Sequence, residues 1–189
     1  MRAQIFLCLT EMVREKFGKE KLGLILDASG LSDSKVYMRY FNGFDFSDEK
    51  FFDLVRNLCR ILNITKEQAA DTFGEYWVCV YASREYPQYY QNLKSAEDLL
   101  IKLDSIHQDV TANSPSNIEA ALPPRFDVKS TGKNAFRVHY KSKRGMIDFY
   151  IGLVKGVGVY FNTPVEVRKL SEEEVDIRLG TPDAEQGRR

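Results

Sequence analysis

The sequence predicts an α+β fold, with an N-terminal helical lobe packed on a C-terminal lobe that holds a four-stranded antiparallel sheet and a glycine-rich helix. Three observations carry this prediction. From residue 3 to about 112, apolar residues recur every three or four positions, the period of an amphipathic helix. The composition then shifts to "NSPSNIEAALPPRF", a loop-like stretch rich in Pro, Ser and Asn. Beyond it the apolar residues alternate, as they do in a strand with one buried face.

Each element has its own signal. Ile5, Leu9, Met12, Val13 and Phe17 mark a first helix that Gly18 ends. "EKLGLILDASG" reads as a second short helix closed by Gly30. "VYMRYFNGFDF" is aromatic and interrupted by Asn42-Gly43, which predicts a loop or irregular strand. Ser47, followed by Lys50 and Phe51, opens a helix through Leu62. Thr65 and Gln68 have the spacing of a capping box, at the start of the helix that contains "FGEYWVCVY". "REYPQYYQNL" is a turn or short helix broken by Pro87. Ser95 caps "AEDLLIKLDSIHQDV", a helix that runs to about Ala112.

In the second part, "RFDVKSTGKNAFRVHYKS" alternates around Thr131-Gly132 and predicts a β-hairpin. "GMIDFYIGLVKGVGVYF" is a helix whose glycines suit close packing against something flat or bulky. "PVEVRKL" and "EVDIRLG" complete the antiparallel sheet, and 181–189 form a polar tail. The chain therefore reads as one domain over 1–180.

Composition excludes several function classes. The 27 basic and 27 acidic side chains cancel, so no overall positive field draws the chain to nucleic acid or an anionic membrane. Glu11, Arg14, Glu15 and Lys16 interrupt the N-terminal apolar residues, unlike a secretory signal. No run approaches the roughly 18 apolar residues of a membrane span. Cys8, Cys59 and Cys79 are odd in number and lack CxxC spacing, so they read as reduced core or near-core thiols. These features predict a soluble, cytoplasmic protein.

The candidate chemistry begins with two histidines. His139 lies in the second hairpin strand and points opposite to Tyr140, as an ordinary surface or packed histidine would. His107 falls within an apolar helix face defined by Leu99, Leu100, Leu103, Ile106 and Val110. It is either a core histidine satisfied by a hydrogen bond or an imidazole offering one nitrogen to a metal. Asp104, one turn back, either accepts the other ring proton or faces water. A hydrolytic pair would need a nucleophile in a turn such as GxSxG, and zinc would need about three grouped ligands; the sequence has neither. A cofactor that supplies most of its own ligands, such as haem, asks for a single nitrogen.

Haem also carries two propionates. Tyr140, Ser142 and Arg144 are spaced i, i+2, i+4, which places them on one strand face. Arginine grips a carboxylate with two parallel hydrogen bonds, and two hydroxyls can take the remaining oxygens. The alternative for such spacing is a solvated strand edge.

"DSIHQDV", "ALPPRF", "YKSKR" and "FGEYWVCVY" together resemble the haem–nitric oxide/oxygen binding (H-NOX, HNOB) domain family, related to the sensor domain of soluble guanylate cyclase. The resemblance runs over nearly the whole chain. It implies a division into a helical subdomain of about 1–65 and a haem-cradling subdomain of about 66–180, with haem b (iron protoporphyrin IX) between the two lobes and His107 as the axial iron ligand. It implies that Tyr140, Ser142 and Arg144 hold the propionates and that Pro124 packs on the porphyrin and bends it. Ile5, Leu9, Trp77, Tyr81, Leu103, Phe149 and Leu153 would line the pocket or its edges.

In members that bind oxygen stably, a distal tyrosine follows the clamp, and here that position is Phe149. Partly negative bound oxygen would lack a hydrogen bond worth roughly 1–3 kcal/mol in a dry pocket, whereas NO and CO need no such help. Hydroxyls of Tyr81 or Tyr150 are the nearest substitutes. The resemblance thus implies a nitric oxide sensor that excludes oxygen. In it NO weakens the His107–iron bond, the helix 95–112 loses its tether, and the N-terminal helices shift a surface that a partner reads. A histidine kinase, diguanylate cyclase, chemoreceptor or guanylate cyclase module would take the signal, with no nucleic acid and no membrane contact. Two rivals remain: a haem-free interaction or dimerisation module, and a haem enzyme such as a peroxidase. The hydrophobic and aromatic distal candidates oppose the enzyme, which would want an acid–base group there.

Overall fold

The computed structural model describes residues 2–112 and 123–181. Most of the Pro-rich loop and the polar tail from residue 182 lie outside the described residues. The chain divides into two compact units, with the boundary between Ala69 and Ala70.

The first unit is helical. Helix α1 (Ala3–Ala28) contains a break at Gly18, whose φ of 88° and ψ of 162° are open to a residue without a Cβ. The predicted first and second helices are both present and meet at this kink. Its apolar face buries Phe6, Leu9, Met12 and Val13 before the break and Leu22, Ile25 and Leu26 after it. At its end, the Gly30 N–H donates to Asp27 O (3.0 Å) and the Leu31 N–H to Leu26 O (2.9 Å), a Schellman closure.

The segment expected as a loop or irregular strand is a helix. Helix α2 (Asp33–Phe41) starts at Ser32, whose hydroxyl accepts from the Lys35 N–H at 3.2 Å. It closes as α1 does, with the Phe44 N–H on Arg39 O (2.9 Å) and Gly43 at φ 69°. The aromatic composition favoured extended structure, but the serine cap and the αL glycine set the outcome. Helix α3 (Asp48–Leu62) follows its Ser47 cap and buries Phe51, Leu54, Val55 and Leu58. Phe6 stacks on Phe46 with centroids 4.0 Å apart and meets Phe51 edge-on at 5.6 Å.

Helix α4 (Lys66–Tyr76) crosses into the second unit. The capping box at its start forms as read, with the Gln68 N–H on Thr65 Oγ1 (3.1 Å) and the Thr65 N–H on Gln68 Oε1 (2.9 Å). It continues as a π-helical turn, Trp77–Tyr81, then α5 (Ala82–Glu85) and α6 (Pro87–Tyr90). A π turn displaces the regular i→i−4 ladder. Around it the Tyr90 hydroxyl donates to Val78 O (3.1 Å) and the Ser83 hydroxyl to Cys79 O (3.0 Å).

Helix α7 (Ala96–Ala112) begins at Ser95, whose hydroxyl accepts from the Asp98 N–H at 3.2 Å. Strands β1 (Arg125–Gly132) and β2 (Ala135–Lys141) form the predicted hairpin, with Asn134 in the left-handed region at φ 55°. Helix α8 (Ile147–Tyr160) leads to β3 (Val165–Lys169) and β4 (Glu174–Leu179), and the antiparallel sheet has the order β1-β2-β4-β3. The sheet buries Phe136, Val138, Val175 and Ile177 on one face. Arg137, Asp176 and Arg168, in register across three strands, are ion-paired on the other.

Two glycines of α8, Gly152 and Gly156, pack on α4, and a third, Gly158, lies against Thr163 and Val165. A Cβ at Gly152 would collide with the carbonyl oxygen of Ala70 on α4, and one at Gly74 would collide with the backbone of Gly152. The two helices approach backbone to backbone, which only glycine permits on the contact line.

Candidate functional site

Helix α7 carries the candidate ligand. Leu99 and Leu100 at its start are buried, while Leu103, Ile106, His107 and Val110 are half-buried along the same face. Asp104, one turn before His107, is engaged by Arg125 and the start of β1. Its carboxylate accepts from Arg125 Nε (2.8 Å) and Nη2 (2.7 Å), from the Phe126 N–H (2.9 Å) and from Gln108 Nε2 (2.9 Å). Hydrogen bonds from Arg125 hold its pKa down to about 2, against the opposing effect of burial. Asp104 is thus a strap from α7 to the first residues of β1. Pro124, half-buried, immediately precedes that strap.

Phe126 is the residue that the sequence reading passed over. Its ring meets His107 edge-on, with centroids 5.1 Å apart and planes at 86°. It stacks on Tyr150 of α8 at 4.9 Å and lies 5.8 Å from Tyr140, its register partner in β2. Tyr140 and Tyr150 are nearly parallel, at 5.8 Å and 20°. The strand period could have flagged Phe126, since it is the buried residue at the start of the hairpin and opposes Tyr140. One aromatic cluster thereby joins His107 to the first residue of the Y-x-S-x-R motif.

The rest of that motif is not on a strand. Strand β2 stops at Lys141, and Ser142 and Arg144 sit in the turn that follows, with Gly145 at φ 60°. The expected single strand face is therefore not formed: a turn, and not a pleat, brings Ser142 and Arg144 to Tyr140. The Arg144 N–H donates to Ser142 Oγ at 3.3 Å. Tyr140 is buried, and burial pushes its phenol pKa up, while the Ser142 hydroxyl, the Arg144 guanidinium and the Met146 backbone pull it back. His139 points the other way, with its ring nitrogens 3.9 Å from Glu173 and 3.7 Å from Glu174.

A second aromatic cluster surrounds Phe149. Phe149 meets Phe73 of α4 edge-on at 5.6 Å, Phe73 lies 5.7 Å from Trp77, and Trp77 stacks on Tyr81 at 5.2 Å. The Arg84 guanidinium lies 5.2 Å from the Tyr81 ring centroid. Leu153, one turn beyond Phe149, is half-buried. Ile5, half-buried, and Leu9, buried, belong to α1 in the first unit.

The donor chemistry fits a haem. Among the described residues no three His, Cys, Asp or Glu side chains gather to hold a metal ion. A metal at His107 would then bring most of its own ligands, as iron in a porphyrin does. Tyr150 adds a buried hydroxyl with no hydrogen-bond partner among the described residues. Cys8, Cys59 and Cys79 form no disulfide, and no helix of the described residues is long and apolar enough to cross a membrane.

Comparison with known proteins bears on the fold and the family. No curated protein sequence matches the chain. Solved structures do. An Fe(II) H-NOX protein from S. oneidensis, a triple variant, superposes with a TM-score of 0.82 at 18% identity, over 97% of this chain and 98% of that one. A single-site variant of the unliganded Fe(II) H-NOX protein from K. algicida gives 0.77 at 25% identity, over 98% of each chain. An oxygen-binding H-NOX domain related to soluble guanylate cyclases, in its oxygen complex, gives 0.77 at 20% identity over the whole of both chains. The haem-NO-binding family model matches residues 3–169, so the chain belongs to the haem-NO-binding (HNOB, or H-NOX) family of gas-sensor domains.

Proposed function

We propose that the protein is a haem-based sensor that takes nitric oxide, and carbon monoxide, at ferrous haem b, excludes oxygen, and signals to a partner protein. The observation that carries this reading is the cluster in which one imidazole, His107, meets the Tyr140–Ser142–Arg144 motif through Phe126. Bound there with the His107 imidazole as its protein ligand, the haem would supply a ferrous centre that accepts diatomic gases.

The chain's own residues do the rest. His107 offers one nitrogen from a helix face that it shares with Leu103, Ile106 and Val110. Arg144 presents a charged fork to a carboxylate, with the hydroxyls of Tyr140 and Ser142 beside it. Pro124 is held next to the helix by the Asp104–Arg125 strap. That strap gives α7 two attachments one turn apart, at Asp104 and His107. Relaxing the second would change the load on the first and on β1, which is how a local event can bias a larger element.

Gas choice rests on the second cluster. Phe149 has no donor for a partly negative ligand, which favours NO and CO over oxygen. The oxygen-binding relative shares the fold, so the fold alone does not choose the gas. The reading is of a sensor, since Phe73, Trp77 and Phe149 provide neither acid nor base for catalysis.

Absorption spectra of the ferrous protein alone, under CO, under NO and in air test all parts together. We expect a Soret band that shifts with CO and NO and is unmoved by oxygen. A protein that takes up no haem on supplementation would instead be an interaction module, and an oxygen-shifted band would end the selectivity claim.

A further inference from the structure

Tyr150 belongs to the His107 cluster, yet neither the imidazole nor the Y-x-S-x-R motif accounts for it. The residue is 2% exposed. Its hydroxyl oxygen is shielded from solvent and has no hydrogen-bond partner among the described residues. Buried hydroxyls are nearly always satisfied, because an unmade bond forfeits the hydration that burial removed. The partner of this one is not among the described residues.

Three features say where that partner lies. Consecutive helical residues point about 100° apart, and Phe149 and Tyr150 accordingly join different clusters: Phe149 meets Phe73, whereas Tyr150 stacks on Phe126 and Tyr140. Its hydroxyl is thereby assigned to the side of His107 and not to that of Phe149. Helical side chains also lean toward the helix N-terminus. Tyr150 sits in the second turn of α8, with its N–H on Met146 O at 3.2 Å, so the lean is toward the turn that carries Ser142 and Arg144. Finally, burial pushes the phenol pKa up, so the group stays a neutral donor. A neutral donor in apolar surroundings is best matched by an anion.

We propose that Tyr150 is a fourth donor to the carboxylate edge of the haem, acting beside Tyr140, Ser142 and Arg144, and that it does not serve the bound gas. The inference rests on the haem reading above and extends it to a residue that the motif omits.

Tyr150→Phe keeps the ring and removes only the hydroxyl, so the stacking on Phe126 and Tyr140 survives. The readouts are the rate of haem transfer from the full-length protein to excess apomyoglobin, and the propionate bending bands in resonance Raman spectra. We expect haem loss to accelerate about tenfold, the yield of one hydrogen bond to a charged acceptor. The propionate bands should shift as they do in Ser142→Ala, while CO affinity and the behaviour in air stay as in the wild type. Unchanged haem loss with unshifted propionate bands would overturn the proposal. So would a variant that altered gas affinity without altering haem retention, since the hydroxyl would then face the ligand. If the wild type binds no haem, the reading beneath falls as well. If the wild type binds haem, His107→Gly loses it and Tyr150→Phe behaves as wild type, only this inference fails.

Discussion

The two aromatic clusters of the second unit are built in opposite ways. The cluster at His107 draws one ring from each of α7, β1, β2 and α8, and polar groups brace its edge: the Asp104–Arg125 strap on one side, Ser142 and Arg144 on the other. The cluster at Phe149 joins the stretch 73–81 to α8, and rests on stacking between residues one turn apart and on a backbone-close helix contact. One side is edged by charged and polar groups. The other presents hydrocarbon and aromatic surface. Neighbouring residues of α8 feed both, so a step of one position along a helix separates a phenol from a phenyl.

The largest test of this contrast removes its centre. His107→Gly should drop haem content to background, and exogenous imidazole should restore colour in the absorption spectrum. Full pigment in the variant without imidazole would show that the first cluster does not carry the ligand.

Next in size is a change to the support of the second cluster. Gly152→Val forces a side chain into the Ala70 carbonyl. We expect a loss of about 3 kcal/mol, the upper range for overpacking, read from denaturant midpoints. A neutral result would mean that α4 and α8 are not locked together.

Phe149→Tyr sharpens the comparison by giving the second cluster the donor it lacks. The expected gain is about 1–3 kcal/mol of oxygen binding, seen as an oxy-type spectrum in air where the wild type has none. If the variant's spectrum in air is unaltered, position 149 does not govern gas choice.

The smallest effect concerns the strap. Asp104 titrates near pH 2 in the folded protein against an ordinary value of 3.8. A depressed carboxylate contributes stability above its unfolded value and loses it as pH falls through the folded one. Unfolding scans between pH 4 and pH 2 should therefore show a declining limb that Asp104→Asn flattens, with a cost near neutrality of about 1 kcal/mol for a pair this exposed. Part of the limb should persist, because Asp176, held to about 2 chiefly by Arg137, titrates in the same window. A limb identical in the two proteins would remove Asp104 from the account.

Some of this was legible in the sequence and some was not. The caps at Ser47, Thr65 and Ser95 were readable because a hydroxyl and an amide three residues on are a local pair. Helix α2 was misread although Ser32 and Gly43 carried the same local signals, because aromatic residues were weighted above the cap. His107 could be singled out from helical period alone. Asp104 could not be assigned, since its partner Arg125 lies 21 residues away across the Pro-rich loop.

By itself the sequence determined whatever depends on near neighbours: helix limits, the hairpin, the placement of one imidazole on an apolar face, and the spacing of Tyr140, Ser142 and Arg144. Those features follow from backbone geometry over a few residues, which periodicity records. Only the tertiary structure decided that Phe126 links the imidazole to the motif, that Asp104 is spent on Arg125, that glycines of α8 meet a backbone, and that Tyr150 and Phe149 take opposite sides. Each of these is a contact between distant segments, set by how whole faces pack, and no local pattern in the chain encodes which faces will meet.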